Sequence, residues 1–141
     1  MRRCLDDVEI LTLPKVHDPR GNLSFMENDS QIPFELKRCY WIYDVPGGEI
    51  RGGHAFKEQD EVIIALSGSF DVVLTDGILK KTYSLNRSYY GLFIPAGIWR
   101  HMENFSTNSC ALVLSSTFYS EEDYIRSFKD YQNAKKESLS A

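Results

Sequence analysis

The 141-residue chain has few cysteines and little excess charge. Its three cysteines, Cys4, Cys39 and Cys110, are odd in number and lack the spacing of metal ligands. A disulfide framework and a cysteine metal centre are therefore disfavoured, and we expect reduced thiols in a cytoplasmic protein. The formal net charge of -4 disfavours a general nucleic-acid binder, which would carry a basic stripe. It leaves room for a local basic pocket that binds a phosphorylated small molecule.

The chain also lacks a long apolar segment. No run approaches the ~18 apolar residues that a membrane span requires, so no membrane partner is expected. The apolar run near the N-terminus is short and is interrupted by Asp6, Asp7 and Glu9, which disfavours a signal peptide. Repeats, linkers and low-complexity segments are missing too, and the length is that of one domain. We expect residues 1–131 to form this domain and residues 132–141 to form a polar tail.

Aromatic residues, by contrast, are abundant at 13%, which favours a β-rich protein with a ring-lined pocket. Turn signals separate short strand-like segments, and Asp76-Gly77 is a strong hairpin signal. About nine such strands predict a sandwich or barrel. The predicted strands are residues 8–13, 23–26, 38–44, 62–66, 70–75, 80–85, 91–95, 98–105 and 111–115. Because a sheet must cover its edges, we expect a jelly roll, with a homodimer as one way to cover an edge strand.

Helical signals occur only near the C-terminus. Ser120 is a good N-cap, and acidic residues follow it in the first predicted turn. An apolar stripe at helical spacing comprises Tyr124, Ile125, Phe128 and Tyr131. We therefore predict a helix from Ser120 to Tyr131, with the stripe as a packing face and a frayed polar tail from Gln132.

Two segments have the spacing of the cupin motifs. The first motif consists of Gly48, His54, Phe56, Glu61 and Gly68. The second consists of Gly91, Pro95-Ala96-Gly97, position 100 and Asn104. Two motifs with correct internal spacing predict an all-β fold, a single-domain cupin (RmlC-like) jelly roll with a C-terminal helix.

Metal-binding cupins take four ligands from these motifs, and here those positions hold His54, Phe56, Glu61 and Arg100. Phenylalanine cannot bind a metal, and a permanently charged arginine would repel one. We therefore predict a site without metal or other cofactor. His101 is one residue out of phase with Arg100, so on a strand it points to the opposite face and does not restore the ligand set.

The residues that remain suit proton transfer beside a carbonyl in a phosphorylated ligand. A neutral His54 can take a proton at pH 7. Arginines such as Arg20, Arg51 and Arg100 can hold a diphosphate and stabilise an enolate oxygen. Trp99 can stack on a base or a sugar, and Glu61, without a metal, is expected to be a hydrogen-bonding partner.

From residue 12 to residue 131 the chain resembles the cupin nucleotide-sugar 3,4-ketoisomerases that act on dTDP-4-keto-6-deoxyglucose. The matching segments are 18–23, 33–34, 37–40, 51–55, 66–70, 98–100 and 123–126. The resemblance implies a homodimer, no metal, and a proton shuttle from C3 to C4 of the sugar through an enediol. The product would be a dTDP-3-keto-6-deoxyhexose that feeds an aminotransferase.

The resemblance also implies roles for individual residues. His54, Arg100 and Arg20 are predicted to be catalytic, with His54 as the acid/base and the two arginines near the sugar. The predicted substrate-binding residues are Arg51, Lys57, Trp99, Arg38 and Phe56. The pairing of Arg20 with Arg100 does not distinguish the galacto from the gluco configuration of the product at C4.

One position departs from the family pattern, because many members have His-x-His where this chain has His54-x-Phe56. Either His54 shuttles the proton alone or the chemistry is slow or altered. The alternatives are a 3,5-epimerase on the same class of substrate and a non-catalytic nucleotide-sugar-binding cupin. A metal-dependent cupin oxygenase is disfavoured.

Overall fold

The structure, a computed structural model, describes residues 3–140, with side chains through residue 138. Within these residues twelve strands precede a single α-helix, α1 (Phe128–Ser140). The first six strands are β1 (Glu9–Thr12), β2 (Lys15–Val16), β3 (Leu23–Ser24), β4 (Arg38–Tyr43), β5 (Arg51–Phe56) and β6 (Glu61–Ser67). The others are β7 (Phe70–Thr75), β8 (Lys80–Leu85), β9 (Tyr90–Ile94), β10 (Trp99–Glu103), β11 (Cys110–Ser115) and β12 (Tyr124–Ile125).

Ten of these strands form two five-stranded sheets of antiparallel pairs. The first sheet has the order β1-β9-β6-β11-β4, and the second has the order β12-β5-β10-β7-β8. Strands β2 and β3 form a separate hairpin, in which Val16 pairs with Leu23. The prediction of an all-β jelly roll is therefore confirmed.

Apolar residues on alternate positions of both sheets form the main core. Its fully buried members include Ile63, Phe70, Leu74, Leu92 and Met102. A second cluster lies on the outer face of the first sheet, where Ile32 and Phe34 pack with Val62 and Ile64. Strand β6 is thus covered on both faces, which explains why its sequence is a continuous apolar run rather than an alternating one.

The predicted helix from Ser120 to Tyr131 is wrong in its placement. Residues Glu121–Asp123 form a 3-10 turn, and Tyr124–Ile125 form β12, which pairs with β5. The carboxylate of Asp123 accepts hydrogen bonds from the backbone N–H groups of Glu58 (2.8 Å) and Gln59 (3.1 Å). Because this contact and the strand pairing hold the segment on the sheet, helical spacing alone predicted the wrong element.

The helix begins instead at Phe128 and continues through the residues that were predicted to form a frayed tail. The tail is helical because two of its turns are anchored. The Tyr131 hydroxyl donates to the carbonyl oxygen of Gly97 at 2.8 Å, and Lys135 Nζ donates to that of Arg3 at 2.6 Å. Helix α1 thereby covers the outer face of the second sheet; residue 141 lies outside the described residues.

The remaining strand predictions agree with the structure to within a few residues at each end. The turn at Asp76-Gly77 does join β7 to β8, and the Asp76 carboxylate accepts hydrogen bonds from the backbone of Ile78 and Leu79. Strand β5 and the short strands β2 and β12 were not among the predicted strands. Nowhere in residues 3–140 is there a helix long and apolar enough to span a membrane.

Candidate active site

An open cavity of about 510 Å³ lies beside β4, β5 and β10. Strand β4 alternates as predicted, so Arg38, Tyr40 and Ile42 are more buried than Cys39, Trp41 and Tyr43. The polar or charged residues that line the cavity are Arg38, Tyr40, Arg51, His54, Arg100, Tyr124 and Arg126. They come from strands β4, β5, β10 and β12 and, for Arg126, from the residue after β12, so the fold assembles the site from distant parts of the chain.

His54 lies in β5 opposite Arg100 of β10 and is only 6% exposed. Two rings hold the imidazole: Phe56 at 4.8 Å and Tyr124 at 5.0 Å between ring centroids, both near edge-to-face. Among the described residues its buried Nε2 atom has no hydrogen-bond partner. His54 lines the cavity, and a held imidazole with an unpartnered ring nitrogen is the arrangement that a proton-accepting histidine needs.

The surroundings of His54 keep the imidazole neutral. Burial lowers its pKa, and the positive charges of Arg100 and Arg126 lower it further, to about 2. A neutral imidazole has a free lone pair at pH 7, so His54 is available as a general base.

Behind His54, Arg100 and Glu61 form a buried ion pair. Their side chains are 1% and 2% exposed, and Arg100 Nη2 lies 2.8 Å from Glu61 Oε1. The same Nη2 donates to the hydroxyl of Tyr40 at 3.0 Å, and Nη1 lies 3.5 Å from the carbonyl oxygen of Gly52. These contacts fix the guanidinium at the base of the cavity.

Gly52 makes room for this guanidinium. Its backbone has a φ of +75°, and a Cβ atom at this position would overlap Nη1 of Arg100. Only glycine satisfies both the left-handed backbone and the close approach. The first glycine of the Arg51-Gly-Gly-His54 sequence is therefore required by the packing of Arg100.

Burial raises the pKa of Glu61, and the positive charge of Arg100 opposes this shift. We treat Glu61 as ionised, because a guanidinium stays protonated and would be costly in the core without a counter-charge. Burial likewise raises the pKa of Tyr40. The Tyr40 hydroxyl is consequently protonated at neutral pH, and while it accepts from Arg100 it still has a hydrogen to donate.

The cavity carries excess positive charge. Its four lining arginines are Arg38, Arg51, Arg100 and Arg126. Two carboxylates pair with them: Glu61 with Arg100 and Glu121 with Arg126. The other two arginines, Arg38 and Arg51, have no carboxylate partner among the described residues. The cavity is therefore suited to a ligand with two negative charges, such as a diphosphate diester.

The structure brings together four of the residues that the sequence predicted for the site, namely His54, Arg100, Arg38 and Arg51. Phe56 lies directly behind the imidazole and is buried, so it supports His54 rather than lining the cavity. The four cupin ligand positions do converge, since Phe56 and Arg100 adjoin His54 and Glu61 adjoins Arg100.

Three predicted site residues lie elsewhere, which corrects their expected placement in this cavity. Trp99 packs against Phe128 and Tyr131 of α1 at centroid distances of 5.2 and 5.7 Å. It precedes Arg100 by one residue, so the pleat turns it to the outer face of the sheet. Lys57, one residue past the inward-facing Phe56, borders a separate depression.

Arg20 is the third of these residues. It lies in the loop between β2 and β3, its side chain is 90% exposed, and it pairs with Asp18 at 2.9 Å. It does not line the cavity of its own chain.

Sequence reasoning missed Tyr124, Arg126 and Glu121 as parts of the site because it placed residues 120–131 in a helix. The Arg100–Glu61 pair had a detectable signal, since an arginine at one cupin ligand position needs an anion and the retained glutamate supplies it. Within the described residues no three His, Cys, Asp or Glu side chains are grouped as metal ligands would be.

Comparison with protein families matches residues 6–136 to the family described as "FdtA: WxcM-like, C-terminal". A curated relative is the TDP-4-oxo-6-deoxy-alpha-D-glucose-3,4-oxoisomerase of Aneurinibacillus thermoaerophilus. It is 36% identical over 124 residues, which cover 88% of this chain and 89% of the relative.

Solved structures of ketoisomerases are also similar. A 3,4-ketoisomerase from Helicobacter canadensis has a TM-score of 0.90 and 44% identity, covering 92% of this chain and 98% of that one. QdtA, a sugar 3,4-ketoisomerase from Thermoanaerobacterium thermosaccharolyticum in complex with TDP, has a TM-score of 0.92 and 34% identity, covering 95% and 98%.

A dTDP-4-dehydrorhamnose 3,5-epimerase from Bacillus anthracis is more distant. Its TM-score is 0.74 at 18% identity, covering 86% of this chain and 81% of that one. This likeness concerns the jelly-roll fold alone.

The low pKa of His54 predicts a pH dependence of stability. In the unfolded chain, His54 has a pKa of about 6.5 and binds a proton below that pH. In the folded protein it stays neutral over the same range. This contribution to stability is complete above pH 6.5 and decreases as the pH falls toward about 2. Urea unfolding between pH 7.5 and 5 should show the free energy of unfolding decreasing by on the order of 1 kcal/mol per pH unit below 6.

In His54→Asn this decrease should be absent, whereas His17→Asn, which changes an exposed histidine, should keep the wild-type pH dependence. Parallel curves for wild type and His54→Asn would contradict a neutral buried imidazole.

Proposed function

Because the chain belongs to the FdtA family, we propose that it is a dTDP-sugar 3,4-ketoisomerase. Its reaction converts dTDP-4-keto-6-deoxyglucose to a dTDP-3-keto-6-deoxyhexose. The observation that carries this proposal is the neutral His54, with an unpartnered Nε2, in a cavity with excess positive charge. The diphosphate of a nucleotide sugar carries a negative charge on each phosphate, which matches the two unpaired arginine charges.

In the proposed first step, the neutral imidazole of His54 removes the proton from C3 of the sugar. The electron pair of the C3–H bond forms the C3–C4 double bond, and the C4 carbonyl oxygen takes a proton from the Tyr40 hydroxyl. The result is a neutral enediol, an imidazolium and a tyrosinate. Arg100, at 3.0 Å from the Tyr40 oxygen, stabilises the tyrosinate.

In the second step, the imidazolium delivers its proton to C4, and the C3 hydroxyl returns a proton to Tyr40. The double bond shifts to C3–O3, so the product is the 3-keto sugar with a hydroxyl at C4. Protons and electrons balance, and both residues recover their starting state. No redox cofactor is needed.

Phe56 fits this scheme as a support for His54. Its ring contacts the imidazole edge-on and cannot exchange a proton, so His54 carries the proton between the two carbons alone. Glu61 forms an ion pair with Arg100. Among the four cupin ligand positions, His54 is therefore the one side chain that could still coordinate a metal. Both features support a metal-independent reaction.

The 3,5-epimerase alternative has less support. It requires a histidine paired with a carboxylate, and no carboxylate of the described residues forms a hydrogen bond or ion pair with His54. Only a measurement of turnover distinguishes the non-catalytic alternative from the ketoisomerase.

We further propose that the protein is a homodimer and that Arg20 acts in the cavity of the second subunit. The β2–β3 hairpin exposes Val16 and Leu23, and edge strand β4 exposes Trp41 and Tyr43 beside the cavity. Packing the hairpin of one subunit on β4 of the other covers both apolar surfaces. It also moves Arg20, at the hairpin tip, toward the cavity mouth.

Turnover tests the ketoisomerase proposal. Wild-type protein incubated with dTDP-4-keto-6-deoxyglucose in D2O should form the 3-keto sugar, observed by NMR. His54→Asn should lower kcat by roughly 10³-fold and Tyr40→Phe by roughly 10²-fold, because each removes one proton carrier. His101→Asn, a matched change outside the cavity, should retain activity. Absence of 3-keto product from wild type would exclude the ketoisomerase, and deuterium at C5 would indicate an epimerase.

Subunit mixing tests the dimer. Analytical ultracentrifugation should show a dimer that Leu23→Glu dissociates. Arg20→Ala should lower kcat/KM, and mixing it with inactive His54→Asn should restore roughly a quarter of wild-type activity, since half of the sites in mixed dimers have both residues. A monomeric wild type, or no recovery on mixing, would contradict the shared site.

A further inference from the structure

We propose that Gln59 is a positioning residue that holds the Arg38 guanidinium on the cavity wall through a neutral acceptor, so that Arg38 keeps its positive charge for the ligand. Gln59 does not line the cavity, and it therefore acts only through Arg38. The identity of the ligand rests on the proposed function. The placement of Arg38 by Gln59 rests on the contacts between the two side chains.

Arg38 and Gln59 come from different parts of the fold. Arg38 is the first residue of β4 and lines the cavity together with Tyr40 and His54. Gln59 lies in the connection between β5 and β6, and only 2% of its surface is exposed. A side-chain amide that is almost completely buried is costly unless it forms hydrogen bonds, so the contacts of Gln59 are part of the structure of the site.

A single hydrogen bond orients the Arg38 guanidinium. Its Nη2 donates to Oε1 of Gln59 at 2.9 Å, whereas its buried Nε has no partner among the described residues. The guanidinium also lies over the rings of Tyr40 and Tyr119, 5.2 and 5.3 Å from their centroids. Contacts with ring faces are less directional than a hydrogen bond. The bond to Gln59 therefore determines how the guanidinium is rotated.

The acceptor oxygen of Gln59 is itself held in place. Thr117 Oγ1 donates to the same Oε1 atom at 2.9 Å, and the backbone N–H of Gln59 donates to Asp123 Oδ2 at 3.1 Å. Because a guanidinium can only donate, the amide must present its oxygen, not its nitrogen, to Arg38. The acceptor is thus in position before a ligand binds, which reduces the entropy cost of binding.

Gln59 orients Arg38 without neutralising it. The other arginines of the cavity that are held by an acceptor side chain, Arg100 and Arg126, are paired with carboxylates. Arg38 forms no ion pair within the described part of the chain, because its acceptor is an uncharged amide. Its positive charge acts inside the site, where it contributes to the low pKa of His54. A carboxylate at position 59 would supply the same hydrogen bond but would cancel this charge.

NMR of protein with ¹⁵N-labelled arginine tests the orientation without a ligand. The Nε–H signal of Arg38, identified by its loss in Arg38→Met, should be sharp because this group is buried and held. Gln59→Met keeps the length of the side chain but removes the acceptor, so the signal should broaden or move toward those of exposed arginines. Gln59→Glu should keep a sharp signal, since a carboxylate oxygen also accepts. An unchanged signal in Gln59→Met would overturn the positioning role.

Isothermal titration calorimetry with dTDP tests the importance of a neutral acceptor. Gln59→Glu should weaken binding about tenfold even though Arg38 stays oriented, because the added charge repels the ligand. Gln59→Met should weaken it only about threefold, since the positive charge remains and orientation alone is lost. Gln132→Glu is the matched control, which adds the same charge on an exposed position of α1 and should bind as wild type. If Gln59→Glu binds dTDP as tightly as wild type, a neutral acceptor is not required and the proposal is wrong.

A double-mutant cycle tests whether Gln59 acts through Arg38. In turnover of the nucleotide sugar, Gln59→Met should raise KM about threefold with kcat near wild type. In the Arg38→Met background, the same change should leave KM and the dTDP affinity within about twofold of the single variant. Urea unfolding of each variant verifies that it is folded under the assay conditions. Independent, multiplicative effects of the two changes would show that Gln59 does not act through Arg38.

Failure of the positioning role and failure of the proposed function are distinguishable. If the Arg38 signal depends on Gln59 and Gln59→Glu weakens dTDP binding, but no sugar is isomerised, the positioning role stands and the ketoisomerase does not. If the sugar is isomerised while neither variant changes the Arg38 signal or the dTDP affinity, the ketoisomerase stands and the positioning role is wrong. If wild type does not bind dTDP, the role of Arg38 toward the ligand is overturned.

Discussion

The site depends on the buried ion pair between Arg100 and Glu61. Two charges at the base of a cavity are costly unless each compensates the other, and here the 2.8 Å contact does so. The pair explains why residue 52 is glycine, and it places a donor on the Tyr40 hydroxyl. Its guanidinium also contributes to the low pKa of His54. One interaction thus supports the backbone at Gly52, the Tyr40 hydroxyl and the neutral state of His54.

The same pair shows how a cupin scaffold changes its chemistry without changing its fold. The four ligand positions still converge, but they hold one imidazole, one ring that supports it and one ion pair. In the proposed function, arginines at the cavity mouth would balance the negative charge of the substrate.

The sequence was sufficient for the jelly roll and for His54, Arg100, Arg38 and Arg51, because motif spacing and strand alternation are local properties. It failed for residues 120–131, where backbone hydrogen bonds from Glu58 and Gln59 to Asp123 hold the chain on a sheet despite its helical spacing. The error concealed Arg126 and Glu121. It also did not show that Trp99 and Arg20 lie outside the cavity of their own chain, because these positions depend on which face α1 covers and on where the β2–β3 loop lies.

The central claim is that His54 is neutral and carries an available lone pair while arginines surround it. NMR of protein with ¹⁵N-labelled histidine at pH 5.5 tests it most directly, with His54→Asn identifying the signal. We predict one protonated and one bare ring nitrogen for His54 at this pH, well above its pKa of about 2. Two protonated ring nitrogens at pH 5.5 would show a cationic imidazole, which cannot accept the C3 proton, and would contradict the claim.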